Sequence, residues 1–248
     1  MFPSGARVSF GEGNNNNLCL MCHQGRTASV TVDRALASLN LGDDEASDRI
    51  RFQNIHYFAA GATLFGSEAK AIYEYPNKEY AARFAHVEGV DTCVACHDPH
   101  ALEPNTAACA GCHTGQALEE IRMTSTADYD GDGDTAEGLK GELEGMSELL
   151  YAAIQEYAST NSQGIVYDPA RHPYFFLDAN GDDAADVNDE DAPIGYTAFT
   201  PTLLKAAYNY QYVQKDPGAY VHNFAYVAQA LYDSIEDLGG TVQGLTRP

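Results

Sequence analysis

Basic residues are scarce in this chain of 248 residues: 14 Lys and Arg stand against 36 Asp and Glu, a formal net charge of −22. Nucleic-acid binding by phosphate neutralisation needs a clustered excess of Lys and Arg, so that function class is excluded. Docking on an anionic membrane surface is disfavoured for the same reason. No apolar run approaches the roughly 20 residues that cross a bilayer, so no membrane span is expected. Disorder is a poor reading too, because 44% hydrophobic and 10% aromatic residues suffice to bury a sizeable core.

No cysteine is left over from one repeated motif. All six fall in three copies of Cys-x-x-Cys-His: Cys19, Cys22 and His23; Cys93, Cys96 and His97; Cys109, Cys112 and His113. A shuffled chain of this composition would give on the order of 0.005 such matches. The spacing serves covalent haem attachment. Two intervening residues set the thiols about one helical turn apart, where they can add to the two vinyl groups on one porphyrin edge. The adjacent imidazole then reaches the iron from one face. Paired zinc knuckles would not need a His after every pair, and a disulfide framework gives no reason for the histidines. Three haem c groups are therefore expected, with His23, His97 and His113 as proximal ligands.

Three irons with imidazole on both faces need three further histidines, and five remain: His56, His86, His100, His172 and His222. A second axial His closes the coordination sphere, so such an iron moves electrons and offers no open site to a substrate. His100 follows His97 by three residues, and two such neighbours cannot approach one iron from opposite sides. As a ligand it would serve a different haem and lock two haems together. His172, within RHPYFF, reads as structural.

The stretch FPSGARVSFGEGNNNNLCLMCHQGRTASV (2–30), the segment NIHYFAAGATLFG around His56, TCVACHDPH (92–100) and AAYNYQYVQKDPGAYVHNFAYVAQALYDSIEDL (206–238) resemble bacterial multihaem c-type cytochromes linked to extracellular respiration. Carried over position by position, the resemblance implies His56, His86 and His100 as distal ligands and makes His222 a fourth candidate. Related cytochromes include proteins that polymerise into conductive filaments, in which a histidine of one subunit can complete a haem of its neighbour.

The motifs occupy residues 19–113, so the chain divides into a trihaem-binding lobe over 1–122 and a helical lobe over 123–248. The expected fold is mainly α with extensive loops and little β: a haem-cored N-terminal lobe beside a small helical bundle. Val32, Leu36 and Leu39 have helical spacing. Residues 56–65 and 67–75 read as further short helices joined near Gly66. The segments from Cys93 to His113 should be loops and single turns, with haems substituting for a conventional core. Leu139, Leu143, Met146, Leu150, Ile154 and Tyr157 step by three and four residues, an amphipathic helix. Thr200 and Pro201 start another that runs through Tyr212. A third spans about 220–238 and ends at Gly239. The tyrosines on these faces read as ordinary packing.

Two acidic loops are calcium candidates. Asp128, Asp130, Asp132 and Asp134 alternate through DYDGDGD like the opening of an EF-hand loop. The twelfth position is Leu139 in place of Glu, so Glu137 is the expected fifth ligand. Asp178, Asn180 and Asp182 open the second loop. Calcium at either would be structural.

Haem attachment follows export, so the chain is expected to work in the periplasm or outside the cell. Residues 1–10 show neither the basic start nor the apolar run of a signal peptide, so the numbering begins at a mature or trimmed end or an upstream portion is absent. The isoelectric point near 4.4 suits docking to redox partner proteins through their positive patches.

The combined reading is a non-enzymatic electron carrier: a short wire of three bis-His haems. A subunit of an extracellular filament is favoured over a discrete soluble carrier, because the helical lobe holds no cofactor and offers surface to neighbouring copies. The alternative from another class, a multihaem reductase of a small oxyanion or sulfur compound, would need an open iron beside cationic groups. A calcium-binding adhesion module leaves the attachment motifs unexplained.

Overall fold

The long helices lie where the apolar spacing puts them. A computed structural model describes residues 1–101, 103–122 and 125–248 of the chain. Its elements, in chain order, are α1 (Asn16–Cys22), α2 (Ser29–Ala37), α3 (Ala60–Phe65), α4 (Cys93–Cys96), β1 (His97–Asp98), β2 (Glu103–Pro104), α5 (Thr106–Cys109), α6 (Leu139–Asn161), β3 (Ile165–Tyr167), β4 (Phe175–Leu177), α7 (Pro201–Gln214), α8 (Ala219–His222) and α9 (Phe224–Asp237). The strands form two antiparallel pairs, β1 with β2 and β3 with β4, the latter in register Val166 to Phe176. The fold is mainly α with little β, as expected. No helix among the described residues is long and apolar enough to cross a membrane.

α6, α7 and α9 pack against one another. Leu143, Met146, Leu150 and Ile154 of α6 meet Leu203, Leu204, Tyr208 and Tyr212 of α7 and Val227, Leu231 and Ile235 of α9, all buried. α7 starts as its sequence dictates: the Thr200 hydroxyl accepts from the Leu203 N–H at 3.0 Å with Pro201 in the first turn. Tyr208, Tyr212 and Tyr226 are wholly buried, in keeping with packing.

The same core takes in the N-terminal part. Ile50, Ile55, Phe65 and Ile72 are buried with it, and α7 supplies the polar ties. Asn209 accepts from the Tyr73 N–H at 2.7 Å and donates to the Tyr73 carbonyl at 3.0 Å. The Tyr208 hydroxyl donates to the Ala71 carbonyl at 2.8 Å, and Gln211 accepts from the Ile55 N–H at 3.0 Å. The core is thus continuous across the boundary at 122/123. Residues 123 and 124, beside that boundary, lie outside the described residues.

Three local expectations are corrected. The helix expected over 56–65 begins only at Ala60, because His56 takes a left-handed φ of 72°. The helix expected over 67–75 shrinks to a 3-10 turn, Gly66–Glu68. Beyond it the side chains of α7 take up the backbone groups of residues 71–73 and outcompete local helix formation. The single helix over 220–238 is broken at Asn223, whose side chain accepts from the Tyr226 N–H and donates to the Ala82 carbonyl at 2.9 Å. That residue ends α8 and caps α9.

Tyr80 and Ala81 still pack against this core, whereas no hydrophobic side chain among the described residues of 85–122 joins it. Among the described residues from 76 to 128, only His113 is buried. Single-turn helices and the short β1–β2 pair are the regular structure there, which agrees with the expectation for the attachment segments.

Candidate haem and cation sites

The three motifs adopt one local geometry. In each, the histidine N–H donates to the carbonyl of the first cysteine: His23 to Cys19 at 2.9 Å, His113 to Cys109 at 2.8 Å, and His97 to Cys93. That single turn brings each histidine back beside the first cysteine of its motif, as thioether attachment with an adjacent iron ligand requires. All six cysteines are free thiols, half-buried or exposed. Among the described residues, the clusters of three or more potential metal ligands are carboxylates only.

The motifs also touch in chain order. Asn16 on α1 accepts from the Val94 N–H on α4 at 3.0 Å. Burial pushes the Cys93 thiol up to about 12, with the adjoining Cys19 thiol adding to the effect. Burial, then Cys109, raises Cys96. An open cleft lined by Val94, His97, Pro99 and Asn105 lies beside the second motif.

Two pairs of imidazoles lie close together. A metal–imidazole bond is about 2.0 Å and the bonded nitrogen lies about 1.1 Å from its ring centre, so two imidazoles on opposite faces of one iron have centres about 6.2 Å apart. His97 and His222 have ring centres 6.3 Å apart, tilted by 38°. His86 and His113 are 6.0 Å apart, tilted by 34°. The residues present therefore fit an iron between each pair. His113 Nδ1 is buried with no hydrogen-bond partner, which costs about 1–3 kcal/mol unless another group engages the ring. Burial lowers the His97 pKa first, with His222 and then His23 adding to the effect.

The other histidines are not set against a proximal imidazole in this way. His56 is exposed, with its ring edge-on to Tyr57 at 4.3 Å. His100 is exposed, and its N–H donates to Asp98 at 2.8 Å. His172 is exposed and packs on Tyr174. Among the described residues, His23 has no imidazole opposite it at that spacing. Contrary to the position expected at the start of a helix, His222 is the last residue of α8.

In the first acidic loop, Asp130, Asp132 and Glu137 bring carboxylate oxygens within 4.8 Å of one another, as do Asp128, Asp130 and Glu142. Glu142 was not foreseen, because helical periodicity marks it only as a polar position on α6. It is wholly buried, paired with Arg122 at 2.5 Å, and accepts from the Tyr129 and Asp130 N–H groups. Asp134 stands outside both clusters and accepts from the Ala136 N–H. Gly141 and Gly145 make room on α6: a Cβ on either would lie 1.8 Å from an oxygen of Glu137 or Asp130. Burial first, then Asp130 and Glu142, raises Glu137 to about 7. In the second loop, Asp178 accepts from the Gly181, Asp182 and Asp183 N–H groups, and Asn180 donates to Asp182. Among the described residues no carboxylate trio forms there.

Three Cys-x-x-Cys-His turns lie on a mainly α scaffold, and comparison with known proteins leads to multihaem c-type cytochromes. The chain is 29% identical over 265 residues to the C-type polyheme cytochrome OmcB of two Geobacter sulfurreducens strains, DL-1/KN400 and PCA, a match covering 92% of this chain and 32% of the relative. The C-type polyheme cytochrome OmcC of the PCA strain is likewise 29% identical, over 259 residues, covering 92% of this chain and 31% of its own length. The chain thus spans about a third of the length of the curated relatives it matches, and its homologues are multihaem c-type cytochromes. No family model and no solved structure matches it.

Proposed function

We propose that the chain carries three haem c groups and conducts electrons along them. Haem c, when bound, supplies an iron that alternates between ferrous and ferric states. Cys19 with Cys22, Cys93 with Cys96, and Cys109 with Cys112 anchor the three porphyrins, and His23, His97 and His113 are their proximal ligands. The observation that carries the reading is the facing of His97 by His222 and of His113 by His86 at the spacing of a bis-imidazole iron. His56 and His100 are the chain's remaining candidates for the haem at His23. The contacts between successive motifs support a wire ordered first, second, third along the chain. Residues 1–122 form the attachment lobe, while 123–248 provide His222 and most of the scaffold.

With an imidazole on both faces of each iron, the one at His23 completed by His56 or His100 of this chain or of a neighbouring copy, no substrate position remains, so the chain is a carrier and not an enzyme. It works outside the cytoplasm, in the periplasm or beyond the cell, and passes electrons to redox proteins or extracellular acceptors. As a subunit of an extracellular filament, it would offer the exposed His56 and His100 to the irons of neighbouring copies. Calcium binds the first acidic loop through Asp128, Asp130, Asp132 and Glu137 with Glu142, and Asp178, Asn180 and Asp182 form the second, weaker site; both ions stiffen the scaffold.

Intact mass and visible spectra of the exported protein test the core of this reading. The expected result is three covalent haems, low-spin in both oxidation states. A bare polypeptide mass, or a high-spin iron that turns over an oxyanion, would overturn it. A strictly monomeric protein at micromolar concentration with every iron six-coordinate would overturn the filament assignment alone.

A further inference from the structure

The groups behind His222 are arranged to act on whatever its outer nitrogen binds. Its Nδ1 lies 2.8 and 3.0 Å from the two oxygens of Asp216. That carboxylate is 2% exposed, and its one ion-pair partner among the described residues is this imidazole. The Gly218 N–H also donates to it, at 3.3 Å. Gly218 lies under the ring: a Cβ there would sit 2.7 Å from Cε1 and within 3.3 Å of both nitrogens. The loop Asp216-Pro217-Gly218 between α7 and α8 thus supplies a hydrogen-bond acceptor for one nitrogen and a flat seat for the ring. With Nδ1 held as the donor, Nε2 is the free base, and the ring faces His97.

We infer that Asp216 is a positioning and tuning residue for the second haem, fixing the tautomer of His222 and making that haem the lowest-potential step of the three. The inference rests on the His97–His222 pairing proposed above. A metal-bound imidazole that donates to a carboxylate gains basicity, and stronger donation to iron favours the ferric state. A buried anion close to the metal acts in the same direction, since little solvent screens it. The surroundings of His86 differ: the rings beside it are those of Phe84 and His113, at 6.2 and 6.0 Å.

Potentiometric titration of holoprotein carrying Asp216→Asn, alongside Asp216→Glu and wild type, tests this. With three low-spin haems retained, the lowest-potential component should move to higher potential in Asp216→Asn and return toward wild type in Asp216→Glu. Unmoved potentials with three low-spin haems overturn the tuning role and leave the ligand assignment standing. If Asp216→Asn does not load haem, the wild-type ferric EPR spectrum decides. One low-spin component with compressed g-anisotropy, retained in Asp216→Glu, supports the inference; three equivalent components overturn it. His222→Ala separates the two levels: a fully low-spin spectrum in that variant would sink the pairing itself.

Discussion

At the scale of single residues, the local turn of the Cys-x-x-Cys-His motifs was legible in the sequence, and which imidazoles come close together was not. Cys-x-x-Cys-His is a contiguous pattern, so its single turn could be read from spacing, and the three motifs share it. The imidazoles that lie together come from separate parts of the chain, and nothing local ties His222 to His97 or His86 to His113. The Asp six residues before His222 and the Gly four before it were the available signals, visible in DPGAYVH but without meaning until α8 folds the imidazole back over them. Replacing His86 or His222 with Ala should convert one haem each to high spin in the visible and EPR spectra, whereas His172→Ala should leave the spectrum unchanged. Gly218→Ala should partly reproduce His222→Ala, because the added methyl would occupy space now taken by the ring.

Among the secondary-structure elements, periodicity found α6 and α7 because their cores face one another and repeat cleanly. It failed where side chains from elsewhere satisfied the backbone. Residues 71–75 have the composition of a helix, yet Asn209 and Tyr208 hold the segment extended. Asn209→Ala would leave the Tyr73 N–H and carbonyl unpaired, about 1–3 kcal/mol for each buried group; a lowered denaturation midpoint would show it. Asn223→Ala should cost about 1 kcal/mol through the lost cap of α9. The acidic loop gives a pH dependence whose direction is fixed. Glu137 is raised from 4.5 to about 7 in the folded chain, so with calcium chelated its contribution to stability is fully present below pH 4.5 and is lost as pH rises through about 7. Thermal melts in chelator from pH 5 to 8 should fall accordingly, and added calcium should restore stability at the upper end. Gly145→Ala should weaken that rescue by displacing Asp130.

On the scale of the whole molecule, the expected mainly α fold was found, and one shared core joins the two parts that the sequence divides by function. The sequence divides at the last attachment motif, but buried residues continue from Ile50 to Ile235. The reason is that hydrophobic patterning reports which face of a segment is buried and not against what. No hydrophobic side chain among the described residues of 85–122 joins that core, so apoprotein is expected to show rapid proteolysis there while α6, α7 and α9 survive; haem loading should remove the difference. One feature gives the cofactor a mechanical role. His97 and His222 are separated by 125 positions (222 − 97 = 125), and a metal held between them fastens the middle of the chain to its far end. Closing a loop of that length lowers the entropy of the unfolded chain by about 5 kcal/mol at room temperature on the cross-link model. The iron would then act as a clasp whose strength follows its oxidation state, so each passing electron slightly alters how firmly the polypeptide is knotted together.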